Sequence, residues 1–195
     1  MSGLLTGLVA AAARWPRAST LLLPLGATIK PYALGPALAA GPVVGGLTAL
    51  VALLARLDAP GAGSLSNLDS DPNSAAVRAL HQLGVPVPWQ LISAAALLAA
   101  ARFGKGNPAR AAALGWLALP IAWDHTALLV LLAAALAWPQ AWDLRERLGL
   151  VACAAACSQA HFYALPDGPA WASGLIGLTP SAAALAVAVL ARRPR

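Results

Sequence analysis

Long apolar runs, separated by short segments that carry most of the charge, dominate this sequence. The clearest runs cover residues 43–57, 85–102, 111–123, 126–138, 148–165 and 171–190. A membrane-spanning helix needs about 20 mainly apolar residues. With 59% hydrophobic residues, 10% charged residues and a mean hydropathy of +0.71, the chain departs from the composition of soluble domains. The pattern predicts an all-α fold, a polytopic transmembrane bundle of about six to eight membrane helices or half-helices. It forms one domain over residues 1–195.

The basic residues are scattered between the apolar runs and form no basic stripe. A net charge of +6 and a pI near 10.4 could otherwise indicate a nucleic-acid partner. Basic residues that flank apolar runs are typical of cytoplasmic loops. We therefore expect membrane lipids as partners and no nucleic acid.

The basic loops predict the orientation of the helices. A cytoplasmic C-terminal tail with Arg192, Arg193 and Arg195 puts the loops at 143–147 and 103–110 on the inner side. The segments 58–84, 124–125 and 166–170 then lie outside. The aromatic rings fit this arrangement, with Trp89, Trp123 and Trp171 at the outer interface and Trp138 and Trp142 at the inner one.

The first forty residues predict an interrupted structure. Residues 1–13 resemble the end of a helix whose beginning precedes this sequence, and Arg14 and Arg17 should be cytoplasmic. Residues 21–40 carry several prolines and glycines, so a helix broken at Lys30-Pro31 and returning to the inner side before residue 43 satisfies the charge pattern. Small-xxx-small spacing at Gly3 and Gly7, and at Gly41 and Gly45, implies helix packing at most.

The predicted outer loop at 58–84 contains a short amphipathic helix over residues 75–83. It has Val77 and Leu80 on one side and Arg78 and His81 on another. Asp71 with Pro72, or Ser74, could begin this helix. Two interpretations stay open: a solvated loop with a helix on the membrane surface, or a site in which Arg78 holds a lipid phosphate.

A second candidate site is the turn with Asp124 and His125, between runs of only about 13 apolar residues. Each run covers about 20 Å, less than the roughly 30 Å hydrocarbon core, so the turn should be sunk below the outer surface. Ionisable residues at that depth indicate a functional site. Asp124 can cap the next helix, whose N-terminus favours an anion. The alternative is that Asp124 is only a cap and His125 an interfacial side chain.

Lys30 is the third candidate, because an intramembrane lysine is costly. It could pair with a lipid-linked phosphate in a polar cavity, or extend to an interface without further function. Cys153, Cys157 and His161 recur every four residues on one helical face. With no fourth ligand evident, small-residue packing explains the cysteines better than a metal site, and we expect neither metal nor cofactor.

Three segments resemble the multispanning GT-C glycosyltransferases that use polyprenol-phosphate sugars, particularly the GT87 family of bacterial mannosyltransferases. The first is residues 3–13 with Ala27-Thr28-Ile29-Lys30-Pro31-Tyr32, similar to G-l-a-a-x-x-K-P-y. The second is Asn73-Ser74 with Arg78, similar to N-Q-S followed by Arg but without the Gln. The most specific is residues 119–125, L-P-I-A-W-D-H, similar to S-P-i-s-W-d-H but without the Ser.

This resemblance implies a mannosyltransferase-like enzyme of a bacterial-type plasma membrane, corresponding to the later part of such proteins. It would transfer a sugar from a polyprenyl-phosphate donor to an extracytoplasmic glycan or glycolipid acceptor, with inversion at the anomeric carbon. Asp124 and His125 would be catalytic, and Lys30, Arg78 and His125 would bind the phosphate. The acidic general base would come from a first outer loop that precedes this sequence. A small transporter, a lipid-flipping subunit or a structural subunit is the alternative.

Overall fold

The computed structural model describes residues 2–29, 33–57, 76–119, 128–141, 143–157 and 169–191. These residues form helices and turns, without any strand in the described ranges, which confirms the predicted all-α class. The helices are α1 (Ser2–Arg14), α2 (Ser19–Ile29), α3 (Leu34–Ala40), α4 (Pro42–Leu57), α5 (Ala76–Gln82), α6 (Trp89–Phe103), α7 (Pro108–Leu117), α8 (Leu128–Ala137), α9 (Leu144–Ala156) and α10 (Ala170–Leu190).

Only α10, among the described helices, is long and apolar enough to cross a membrane. Its stretch Trp171–Leu190 has a mean hydropathy of 1.8. The shorter apolar helices include Pro42–Ala55, Trp89–Phe103 and Leu128–Gln140, each with 10–17 residues. One long helix is weak evidence for a membrane location, because the core helix of a soluble protein can have the same length and composition.

Helix α7 lies at the centre of the bundle, where it packs against α3, α6, α8 and α10. Its residues 111–116 are all buried, and four of these six are alanine or glycine. Small side chains let neighbouring helices approach on every side, and Trp116 fills the remaining volume at 1% exposure. An alanine-rich sequence therefore forms a core helix without an amphipathic pattern.

Helices α6 and α7 begin at residues fixed by a helix cap or by prolines, and not at the boundaries predicted from the apolar runs. Helix α7 begins at Pro108 instead of residue 111, because the Asn107 side chain accepts a hydrogen bond from the Arg110 amide at 3.0 Å. Helix α6 begins at Trp89 instead of residue 85, since Pro86 and Pro88 keep the preceding segment extended. The sequence pattern identified both helices and placed their starts three or four residues away.

Helix α5 packs against α10. The sequence pattern had predicted a helix that lies on the membrane surface. Gly174 and Gly177 of α10 leave room for it: a Cβ on Gly174 would lie 3.1 Å from the Ala79 carbonyl oxygen. Val77 and Ala79 are buried. The two glycines follow Ala79 by 95 and 98 positions and could not be paired with α5 from periodicity alone.

Helix α3 ends on the side of the bundle where α2 begins. Ser19 at the start of α2 and Ala40 at the end of α3 line the same cavity. The predicted return to the inner side of a membrane before residue 43 stays a prediction. Residues 30–32, where sequence analysis located the break, lie outside the described residues.

Candidate functional site

Three of the four predicted site residues, Lys30, Asp124 and His125, lie outside the described residues. Arg78 is described: it lies in α5 and is half-buried. The structure therefore does not report whether these four side chains meet. It does describe the helix ends from which their segments depart.

The ends of α3 and α7 are in backbone contact. A Cβ on Gly35 would lie 3.0 Å from the Gly115 amide nitrogen and would overlap the Gly115 Cα. The contact in the other direction is as close, with a Cβ on Gly115 at 3.0 Å from Pro36 Cδ. Gly35 follows Lys30 by five positions, and Gly115 precedes Pro120 by the same number. The segments that carry Lys30 and Asp124 thus leave from helices in direct contact.

A hydrogen bond joins α6 to the end of α7 in the same region. The Ser93 hydroxyl donates to the Ala118 carbonyl at 2.6 Å. Carbonyls in the last turn of a helix have no partner within the helix, so this bond satisfies one that would otherwise be unpaired. It ties the C-terminal end of α7 to the first turns of α6.

Arg78 and its helix belong to this same end of the bundle. Helix α5 packs on the N-terminal half of α10, next to Gly174 and Gly177. The His81 ring lies 3.3 Å from the Val87 carbonyl oxygen, across the turn between α5 and α6. We call this the α5 end of the bundle.

The other end of the bundle holds the basic residues with described side chains other than Arg78. Asn107 and Arg110 at the start of α7 contact the last carbonyls of α10: Asn107 Nδ2 donates to Ala191 at 3.2 Å and Arg110 Nε to Ala188 at 2.8 Å. A second guanidinium nitrogen also donates to Ala191. A cation at a helix C-terminus is stabilised by the helix dipole. The sequence signals an N-cap at Asn107, but nothing in it signals the partner of Arg110.

Two further contacts bring the basic start of α9 to this end. A Cβ on Gly149 of α9 would lie 3.2 Å from Leu190 Cδ1, so the start of α9 lies beside the end of α10. The Arg147 guanidinium lies 5.8 Å from the centre of a Trp138 ring, a cation–π distance. We call this the basic end; its described cations are Arg14, Arg17, Arg102, Lys105, Arg110, Arg145 and Arg147.

Two cavities differ in what they could bind. One of about 490 Å³ lies between α8 and α9 and has entirely apolar side chains, among them Leu131, Leu150 and Trp138. The other, of about 620 Å³, lies at the basic end between the α1–α2 turn, the end of α3 and residues 104–108. Only the second combines apolar walls with a cationic side chain, that of Lys105.

The predicted exclusion of a metal site stays a prediction. Cys153 and Cys157 are free, buried thiols of α9, and His161 lies outside the described residues. No group of three or more metal-ligating side chains occurs within the described ranges.

Comparisons with protein-family models, with curated proteins and with solved structures each returned no match for this chain.

Proposed function

We propose that this chain is a polytopic helical protein of a bacterial-type plasma membrane, with its basic end and C-terminus on the cytoplasmic side. The support is a set of large aliphatic side chains on the outside of the bundle, such as Leu21, Leu98 and Val189, each 71% exposed. Soluble monomers rarely expose apolar patches of more than a few hundred Å². Lipid tails would cover these side chains, and the cations at one end would follow the positive-inside rule.

The short helices fit this proposal as half-helices. Helix α4 has 16 residues, which cover about 24 Å, less than the roughly 30 Å hydrocarbon core. The start of α2 and the end of α3 both line the cavity at the basic end. Interrupted helices are tolerated in a bilayer where the freed backbone faces protein or a hydrated cavity.

Within this membrane protein, we infer a mannosyltransferase-like site at the α5 end that uses a polyprenyl-phosphate sugar donor. The observation that carries the inference is the contact between Gly35 and Gly115. It holds together the two helices whose continuations carry Lys30 on one side and Asp124 and His125 on the other. Ionisable residues within the apolar interior of a membrane are costly unless they serve a function.

The proposed chemistry is a displacement at the anomeric carbon of the donor sugar. The acceptor hydroxyl forms the new glycosidic bond, the bond to the donor phosphate breaks, and polyprenyl phosphate leaves with the electron pair. Lys30, Arg78 and His125 would bind that phosphate, because positive charge stabilises a leaving phosphate most as its charge develops. Asp124 would cap the helix that follows and orient His125. The acceptor proton would go to an acidic general base outside these four residues.

The test uses membranes from cells that express the intact gene, supplied with labelled polyprenyl-phosphate mannose. Transfer of label into a glycan or glycolipid should occur and should fall by at least about a hundredfold in Asp124→Asn and Lys30→Gln. Arg145→Gln, at the basic end, is the matched control and should retain full activity. A protein that is abundant in the membrane but transfers no label, while its deletion alters the distribution of a lipid between leaflets, would favour the alternative of a flipping or transport subunit.

A further inference from the structure

The cavity at the basic end has apolar walls that belong to four segments. Val9 of α1, Leu23 of α2 and Pro36 of α3 line it, together with alanines of the same helices and residues 104–108. Its volume of about 620 Å³ falls within the range of roughly 300–1,000 Å³ that is typical of ligand sites. None of its lining residues is acidic.

Lys105 lies on a tight turn at this cavity. The Asn107 amide donates to the Gly104 carbonyl at 2.8 Å, and Gly106 has a φ of +70°, as the third position of a type II turn requires. Gly104 packs so closely on α7 that a Cβ there would lie 2.9 Å from Ala111 Cβ. The turn therefore fixes where the lysine backbone lies, while the exposed side chain stays free to reach a ligand.

The described charged residues at the cavity and next to it in sequence are all basic. Arg14 and Arg17 are exposed and flank Pro16, which lines the cavity. The Ser19 hydroxyl also lines the cavity; it donates to the Pro16 carbonyl at 2.6 Å and keeps lone pairs for a further contact. Basic pockets between membrane helices on the cytoplasmic side are typical sites for anionic lipid headgroups.

We propose that this cavity binds an anionic phospholipid, with its phosphate at Lys105 and the first part of an acyl chain along the apolar wall of α1, α2 and α3. A soluble anion would need only the cation, and a neutral lipid only the wall. A site that has a cation beside an apolar wall selects a molecule that carries an anionic group and an acyl chain. The proposal rests on the membrane location argued above and is independent of glycosyl transfer.

The experiment uses the full chain purified in a neutral detergent, with tryptophan fluorescence as the readout of lipid binding and of thermal unfolding. Phosphatidylglycerol and phosphatidylcholine with identical acyl chains are titrated separately, and glycerol phosphate serves as the soluble probe. We expect phosphatidylglycerol to bind more tightly than phosphatidylcholine. The Lys105→Gln variant should lose about fivefold in affinity for phosphatidylglycerol, the effect of one cation near an anionic headgroup.

Two further variants separate charge from shape. Arg145→Gln removes an exposed cation of the basic end that does not line the cavity, so the preference for phosphatidylglycerol should persist. Ala40→Phe fills part of the cavity from an exposed position, so it should weaken both lipids without disturbing the core. Its unchanged melting temperature in lipid-free detergent would show that it folds.

Three outcomes would overturn the proposal. Equal affinity for the two lipids would show that headgroup charge does not contribute to binding. An unchanged affinity of the Lys105→Gln variant for phosphatidylglycerol would show that Lys105 does not contact the phosphate. Glycerol phosphate binding as tightly as phosphatidylglycerol would show a site for a free anion. Cell fractionation decides the membrane location separately: a membrane-bound protein without lipid preference contradicts only the lipid site, whereas a protein in the soluble fraction contradicts both.

Discussion

Arg110 Nε donates to the carbonyl of Ala188 at 2.8 Å, which joins the start of α7 to the last turn of α10 across 78 positions of the chain. Because Arg110 lies in the first turn of α7 and Ala188 in the last turn of α10, the bond puts the start of α7 beside the C-terminal end of α10. It also satisfies a carbonyl that the end of α10 leaves without an intrahelical partner.

We therefore expect Arg110→Gln to lower the free energy of unfolding by about 1.5–3 kcal/mol, the range for hydrogen bonds to charged groups. Denaturation of the purified protein in detergent, followed by circular dichroism, measures this. Arg145→Gln removes an exposed cation of the same end and should change stability by less than about 0.5 kcal/mol. Equal stability of the two variants would mean that the contact with α10 contributes nothing measurable.

A second prediction concerns the contact between α3 and α7. Gly35→Ala places a methyl group against the Gly115 backbone, which cannot move aside as a flexible side chain could. We expect a loss of about 1–3 kcal/mol, the usual cost of overpacking. Gly46→Ala in α4 is the matched control, because no described atom lies within 4 Å of a Cβ there; removing a helical glycine should stabilise by about 0.5–1 kcal/mol. If both variants were stabilising, the close approach would not exist.

The orientation of the bundle is tested by labelling single cysteines in intact cells. The natural thiols of Cys153 and Cys157 are buried, and both are first replaced by alanine to give a silent background. Lys105→Cys should then be protected from a membrane-impermeant maleimide, whereas Asp69→Cys should react. Labelling of both positions from the same side would contradict the predicted topology.

The role of His125 is tested in the intact gene product that transfers mannose. Position 125 directly follows a candidate helix cap, so a protonated imidazole would add a charge-assisted hydrogen bond to the donor phosphate. We expect His125→Gln to weaken donor binding and to slow turnover. A variant with unchanged donor affinity whose activity returns on addition of imidazole would instead identify His125 as the general base.

Removing the two hydroxyls next to Pro180 in α10 should change the stability of the protein in opposite directions. Pro180 lacks the amide that would bond the Ile176 carbonyl, and the Thr179 hydroxyl donates to that carbonyl at 2.7 Å instead. The Ser181 hydroxyl is buried and has no hydrogen-bond partner among the residues that the structure describes. Thr179→Val should therefore cost about 1 kcal/mol, while Ser181→Ala should be neutral or stabilising. Detergent denaturation checks both, and a destabilising Ser181→Ala would show that its hydroxyl has a partner.

Local sequence signals predicted where helices form and where the basic residues gather. Apolar runs identified α4, α6, α7, α8, α9 and α10, since the tendency to form a helix and the burial of apolar side chains act over a few turns. The positions of the basic residues in the sequence predicted that the segments at 103–110 and 143–147 lie at one end of the bundle. The contacts of the α10 C-terminus with α7 and α9 agree with that. The orientation of that side in a membrane, and the site at Lys30, Asp124 and His125, stay predictions.

Tertiary structure alone decided which small residues bring helices together. Gly3 and Gly7 have the spacing of a packing motif, yet no atom of the described part of the chain lies within 4 Å of a Cβ on either, whereas Gly35 and Gly115 share no motif and touch. In a chain so rich in alanine and glycine, many faces are small enough to pack. The choice among them depends on the fit of all neighbouring helices at once, which also created the cavity at Lys105 and gave Arg110 its partner.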